Sequence, residues 1–191
     1  MIAVPESVLA YFQQPSVQTA VDLLLTGKEP KVPANLRWEE VASFYRACLA
    51  AQQVQAEYAL FLEALWGAVW TEIPAGWRGC RPSNPARPDL AIGIATIWSE
   101  GCFSRRFERQ GYSLELSAGL WPDTGLQLGV LLYDEENSVL LTDDLLKGWI
   151  REGDIDTYWT QEEIAPLAAT IDAAQFGQWR DQAYQAIAAS V

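Results

Sequence analysis

The stretch from residue 112 to residue 120 alternates between apolar and polar or small side chains, and this alternation constrains the fold more than any other feature. One set consists of Tyr112, Leu114, Leu116, Ala118 and Leu120. The other set consists of Ser113, Glu115, Ser117 and Gly119. A period of two is typical of a β-strand with one buried face and one solvated face.

Further strand-like segments lie on both sides of this one. They cover residues 90–98, 102–109 and 126–133, and a short fifth segment covers 139–141. Turn residues such as Gln110-Gly111 separate them by only a few positions. Because parallel strands need long crossover connections, the short turns predict an antiparallel meander of four to five strands over 90–141.

Before the meander, apolar residues recur at helical spacing. The pattern predicts one helical segment over 6–25, interrupted at Pro15, and a second over 37–70, capped by Asn35. The apolar stripe of the second helix starts with Trp38, Val41, Tyr45 and Cys48. The stripe weakens at 52–55, where we expect a break. Proline and glycine then predict a loop over 74–88.

After the meander, the pattern returns to helix. Residues 143–150 are long enough for two helical turns. Thr160 and Glu163 form a capping-box pattern, which predicts a helix that begins at Thr160. Asp172 is a second candidate cap, placed before a last amphipathic segment.

The chain has 191 residues, half of them hydrophobic, which suits one globular domain. We therefore predict a single two-layer α+β domain over 1–191, in which the meander packs against N- and C-terminal helices. Its helical part is 1–73, its meander is 90–141 and its C-terminal helices lie within 143–191.

The chain contains no histidine, so catalytic triads, Cys-His pairs and histidine-bound zinc sites are excluded. Its three cysteines, Cys48, Cys80 and Cys102, are widely spaced and form no CxxC motif. That spacing favours buried thiols over a metal site or a disulfide framework. No nucleotide-binding glycine motif is present, so we expect no cofactor and no bound metal.

The charge is strongly acidic and unevenly distributed. The formal net charge is −12. Six of the 13 cations lie between Arg78 and Arg109, whereas residues 123–191 hold 13 acids and three bases. Such a balance disfavours nucleic acid and favours a basic partner. The N-terminus lacks a basic and apolar leader, and no long apolar window occurs, so we expect a cytoplasmic protein without a membrane partner.

Two acids follow a pattern that resembles a nuclease family. Asp89 follows a proline and precedes a predicted strand, and Glu115 lies on a later strand, with Ser117 two residues beyond. This resembles the PD-(D/E)XK nucleases, in which two acids hold Mg²⁺ and a lysine at the position of Ser117 assists the attacking water. The resemblance implies a degenerate Mg²⁺-dependent hydrolase, with Glu108 as a further candidate ligand.

The same residues also have an ordinary structural interpretation. If Gln110-Gly111 forms a two-residue hairpin turn, Arg106 lies directly opposite Glu115. Opposite charges at such a position form a common cross-strand pair. The two interpretations predict different surroundings for the Glu115 carboxylate.

Candidate binding residues fall into two groups. Aromatic and arginine side chains in loops or at turns are typical of interface hot spots. Those in this chain are Trp77, Arg78, Arg81 and Trp121. Acidic loop residues attract basic partners. The candidates are Asp134, Glu135, Glu136, Asp154 and Asp156.

The leading hypothesis is a non-catalytic, acidic protein-binding module that acts by stoichiometric binding, such as an inhibitor, an immunity-type protein or a dedicated chaperone. Three features of the sequence favour it: the negative net charge, the many aromatic residues and the lack of an assembled catalytic set. The nuclease-like hydrolase is one alternative. A homo-oligomeric structural component is another.

Overall fold

A computed structural model describes residues 1–25, 35–80, 94, 97–121, 125–134, 141, 145–152, 157–161 and 168–191. Its helices are α1 (Glu6–Gln13), α2 (Pro15–Leu25), α3 (Trp38–Val69) and α4 (Gly177–Ser190). Its strands are β1 (Ile2–Ala3), β2 (Arg78–Gly79), β3 (Cys102–Arg109), β4 (Tyr112–Trp121), β5 (Gly125–Tyr133), β6 (Ile150–Glu152), β7 (Thr157–Gln161) and β8 (Thr170–Ile171). The α+β class with an antiparallel sheet is confirmed.

The main sheet has the strand order β2-β3-β4-β5-β7-β6, and every neighbouring pair is antiparallel. Strands β3, β4 and β5 form three consecutive strands of the predicted four- to five-stranded meander. The first turn contains Gln110 and Gly111, both with positive φ, as a two-residue hairpin requires. A separate pair, β1 with β8, ties the N-terminus to the segment before α4.

Helix α3 runs without interruption for 32 residues, about 48 Å at 1.5 Å per residue. The predicted break at 52–55 is wrong, because Ala51 and Val54 are buried in a cluster with Tyr11 and Val21 that holds this part of α3 against α1 and α2. The predicted cap at Asn35 is also wrong. The helix begins at Trp38, and the backbone N–H of Arg37 donates to the Glu40 carboxylate at 2.9 Å.

The first predicted strand is wrong where the structure describes it, because Ile94 and residues 97–100 are helical. The ring of Trp98 packs against Tyr11 and Tyr58 in the helical layer, at centroid distances of 4.9 and 5.4 Å. In a short apolar run, tertiary contacts of this kind outweigh alternation. Of the predicted fifth strand, Leu141 is not in a strand, and 139–140 lie outside the described residues.

Two segments predicted as helices near the C-terminus, 143–150 and the one that begins at Thr160, are not α-helical in their described parts, 145–150 and 160–161. Ile150–Glu152 forms β6, and Thr157–Gln161 forms β7, which includes the Thr160 expected to cap a helix. Strand β7 pairs with the edge of β5, and its threonine and aromatic residues favour strand geometry. The cap at Asp172 is confirmed, because its carboxylate accepts from the Ala174 N–H at 3.1 Å and begins a 3-10 turn before α4.

The core lies between α3 and one face of the meander. Leu114, Leu116 and Leu120 of β4 are buried against the helical layer. The indole N–H of Trp66 donates to the Leu116 carbonyl at 2.7 Å, and that of Trp70 donates to the Ser117 carbonyl at 2.9 Å. These bonds fix the position of α3 across the sheet, and hence the direction of its outward face.

Candidate protein-binding surface

Helix α3 has two apolar faces, and only one of them is covered. The covered face packs on the core through Cys48, Ala51, Val54, Tyr58, Ala59, Phe61, Leu62, Leu65, Trp66 and Val69. Four large apolar side chains on the same helix are exposed: Trp38 by 87%, Tyr45 by 60%, Leu49 by 62% and Leu60 by 64%. At 3.6 residues per turn these four positions lie within about 60° of one another and nearly opposite the core.

We call this exposed line the outer stripe. It comprises Trp38, Ala42, Tyr45, Leu49, Ala56 and Leu60. Trp38, Leu49 and Leu60 are spaced by 11 residues. An 11-residue repeat corresponds to about 3.67 residues per turn, so the stripe stays on one side of a nearly straight helix. The members are all uncharged, but the exposed Gln52 and Gln53 lie close to the same line between Leu49 and Ala56. The larger apolar segment of the outer stripe therefore runs from Trp38 to Leu49.

Charges lie on one flank of the outer stripe and at its C-terminal end, where Glu63 pairs with Arg105. Glu39 and Glu57 are about a quarter-turn from its centre, and Arg46 lies between them along the axis. Hydrogen bonds from Ser7 and from Gln53 hold the pKa of the Glu57 carboxyl below its ordinary value. Glu57 therefore keeps its negative charge beside the stripe at neutral pH.

The sequence pattern did not separate the two faces. Trp38, Val41, Tyr45 and Cys48 fit one apolar stripe by spacing, but the structure buries Cys48 and exposes Trp38 and Tyr45. The assignment of all four residues to one apolar stripe is therefore wrong. The available signal was the width of the apolar surface, since α3 carries more large apolar residues than one core-facing stripe needs.

Trp77 was expected to be an exposed loop residue that contacts a partner, but it is buried. Its side chain is 8% exposed and belongs to the main core cluster. Its backbone N–H donates to the Pro74 carbonyl at 3.2 Å, in a turn that leads into β2. The expectation of an exposed Trp77 is wrong, because the loop predicted over 74–88 contains a short strand that folds this indole inwards.

The other predicted binding residues are only partly described. Arg78 is exposed on β2, opposite Glu108 of β3. Trp121 ends β4 and pairs with Gly125, but its side chain is outside the described part of the chain. Asp134 is exposed directly after β5. Five more candidates lie outside the described residues: Arg81, Glu135, Glu136, Asp154 and Asp156.

The predicted ion pair at Glu115 is confirmed. Arg106 lies directly opposite it in the β3–β4 register, and a guanidinium nitrogen is 3.3 Å from the carboxylate. Glu108 lies on the same sheet face, opposite Ser113. Asp89 is outside the described residues, so its position relative to Glu115 stays a prediction. Among the residues with described positions, no three Cys, Asp or Glu side chains are grouped to hold a metal ion.

The cysteines are free thiols in the structure. Burial and, to a smaller extent, the carboxylates of Glu100 and Glu115 raise the pKa of the Cys102 thiol to about 11. Burial also raises the pKa of Cys80, whose thiol donates to Glu108. Since the thiolate is the reactive form, Cys80 and Cys102 are poor nucleophiles at neutral pH.

Comparisons with known proteins return no match: no family model, no curated protein and no solved structure is significantly similar to this chain. None of the helices in the described ranges combines the length and apolar character that crossing a bilayer requires.

Proposed function

We propose that this chain is a non-catalytic protein-binding module that acts by stoichiometric binding, and that the outer stripe of α3 is its contact surface. Inhibitors, immunity-type proteins and dedicated chaperones work in this way. The observation that carries the proposal is the exposure of Trp38, Tyr45, Leu49 and Leu60 on one line opposite the core. Exposed large apolar side chains grouped on one side of an element mark interaction sites on soluble proteins.

The size of the outer stripe supports this role. Its four large side chains present on the order of 500 Å² of surface, within the range of about 300–600 Å² of the largest and often functional patches on monomers. With an equal area on a partner, the contact reaches about 1,000 Å², the lower limit for a specific interface. Trp38 and Tyr45 are of the residue types that dominate binding energy.

Charge indicates the kind of partner. The sequence of α3 contains four acids and a single base, and the whole chain has a net charge of −12. A partner segment that presents an apolar stripe bordered by lysine or arginine would gain both apolar burial and electrostatic attraction. We therefore propose an amphipathic, basic helix of another protein as the occupant.

A membrane surface fits α3 less well. Helices that lie on anionic bilayers carry lysine and arginine on their polar face. Arg46 is the single base within α3, and Glu39 and Glu57 border the stripe. An acidic protein with acids beside its apolar line would be repelled by anionic lipid.

Two labelled synthetic helical peptides test the proposal. They share one leucine stripe, flanked by lysines in one peptide and by glutamates in the other. Fluorescence anisotropy should show one-to-one binding of the lysine peptide, and at least tenfold weaker binding of the glutamate peptide. Leu49→Glu should weaken binding of the lysine peptide at least tenfold, because it places a charge in the apolar contact.

Ala50→Glu is the matched control, since Ala50 is exposed on α3 about 100° from Leu49 and receives the same charge. It should leave the affinity within about twofold of the unmodified protein. Equal binding of the lysine peptide to the Leu49→Glu variant and the unmodified protein would overturn the proposal. A dimer that forms with rising concentration and is lost in Leu49→Glu would replace the foreign helix with a second copy of the chain, which is the homo-oligomer alternative.

A further inference from the structure

A second surface, which shares no residue with the outer stripe, lies at the β3–β4 hairpin. It is an open cavity of about 750 Å³. Arg78 of β2 and Arg109 of β3 contribute two positive charges to its lining, and Glu108 contributes one negative charge. Backbone and hydroxyl donors are added by Gln110, Gly111 and Ser113. The lining is thus positive on a protein that is strongly negative overall.

Neither arginine is neutralised by an ion pair within the described ranges. The pairs there join Arg105 to Glu63, Arg106 to Glu115 and Arg180 to Asp181. Glu108 is the cross-strand neighbour of Arg78, but it accepts a hydrogen bond from the Cys80 thiol. The guanidinium groups of Arg78 and Arg109 therefore keep donors for a ligand.

Arg109 is held in place by the turn that precedes β2. Gly76 has a φ of +89°, and a Cβ built on it would lie 3.4 Å from the Nε atom of Arg109. The Arg109 side chain thus lies along the backbone of this turn and is half-buried. A guanidinium that is already ordered loses less entropy when it binds an anion.

The hairpin turn supplies further donors. Gln110 and Gly111 have φ values of 48° and 86°, as in a two-residue turn in which both central residues are left-handed. The β3–β4 ladder ends with the pair Arg109 and Tyr112, so the N–H groups of the two turn residues take no part in it. Backbone N–H groups and arginine side chains are the usual ligands of carboxylate and phosphate groups.

We infer that this cavity is a binding site for a small anionic ligand that carries a carboxylate or a phosphate group. Its volume suits a small molecule. This inference is independent of the proposed function, because it concerns other residues and another class of ligand.

Isothermal titration with inorganic phosphate and with citrate, at matched ionic strength, tests the inference and separates the two sources of the anion. Saturable binding of one of them should weaken about tenfold or more in Arg109→Gln and in Arg78→Gln. Glu108→Gln should strengthen binding, because it removes the negative charge from the lining.

Arg46→Gln, on the exposed flank of α3, is the control for loss of one positive charge elsewhere. It should bind phosphate or citrate as the unmodified protein does. An affinity that falls equally in Arg46→Gln and Arg109→Gln would mean general charge attraction and would overturn the inference. No saturable binding of either anion would overturn it as well.

Discussion

The phenol of Tyr58 connects the middle of α3 to the end of β4. Its hydroxyl lies 2.6 Å from the Leu120 carbonyl oxygen, to which it donates, and 3.0 Å from that of Gly101. The residue is buried, and burial raises the pKa of its hydroxyl well above the ordinary value. This contact holds α3 against the open end of the β3–β4 hairpin, where Gly101 precedes β3 and Leu120 lies near the end of β4, so that the outer stripe faces away from the sheet.

Removal of this hydroxyl should therefore destabilise the fold. Tyr58→Phe removes the hydroxyl donor of the Leu120 carbonyl oxygen, whereas the Gly101 oxygen still accepts from the Leu120 backbone N–H. It should lower the free energy of unfolding by about 1–3 kcal/mol. Urea denaturation followed by circular dichroism measures the change. Tyr45→Phe, on the exposed face of the same helix, should change it by less than about 0.5 kcal/mol. Equal effects of the two substitutions would show that the Tyr58 hydroxyl has no structural role.

Alanine substitution at two glycines should change the stability of the protein in opposite directions. Gly148 has a φ of +84°, and a Cβ there would lie 2.8 Å from the Trp179 ring, so Gly148→Ala should destabilise the protein by about 1–3 kcal/mol. Gly67 lies within α3 with nothing within 4 Å of its Cβ position. Gly67→Ala should stabilise the protein by about 0.5–1 kcal/mol. Thermal unfolding of both variants measures the difference, and a stabilised Gly148→Ala would contradict the contact with Trp179.

Buried tyrosines predict a loss of stability in alkali. Burial and, to a smaller extent, its hydrogen bond to Asp22 raise the pKa of Tyr11 to about 12, and burial also raises that of Tyr184 to about 12. In the unfolded chain these groups ionise near pH 10. From about pH 10 to 12 the unfolded state thus loses protons that the folded state keeps, so the free energy of unfolding falls.

Urea titrations at several pH values should show this decline above pH 10 and no contribution from the two tyrosines below it. A variant with Tyr11→Phe and Tyr184→Phe should have a shallower decline, whatever its stability at neutral pH. Parallel pH profiles for the variant and the unmodified protein would contradict the assigned pKa values.

The parts of the fold set by local geometry could be predicted from the sequence. A two-residue turn at Gln110-Gly111 fixes the register of its hairpin, so the position of Arg106 opposite Glu115 followed directly and is confirmed. Strand β7 could not be found in this way. The capping pattern at Thr160 is a local signal, whereas the pairing of β7 with β5 depends on an edge far away along the chain.

The outer stripe could not be predicted from the sequence for a similar reason. Spacing shows that Trp38, Tyr45 and Cys48 can share a helix surface, but it does not show which side is covered by the sheet. That choice depends on Trp66 and Trp70, whose indoles bond to the β4 backbone and turn α3 about its axis. Only the tertiary contacts distinguish the core face from the outer stripe.

The ion pair between Arg106 and Glu115 leads to a prediction that separates a structural carboxylate from a metal ligand. Both side chains are partly exposed, so a double-mutant cycle with Arg106→Gln and Glu115→Gln should give a coupling of about 0–1 kcal/mol that decreases with salt. Because the carboxylate is already paired, Mg²⁺ at about 10 mM should leave the melting temperature unchanged in both the unmodified protein and Glu115→Gln. If Mg²⁺ raises the melting temperature of the unmodified protein but not of Glu115→Gln, this carboxylate binds a metal ion. The nuclease-like hydrolase would then replace the binding module as the proposed function.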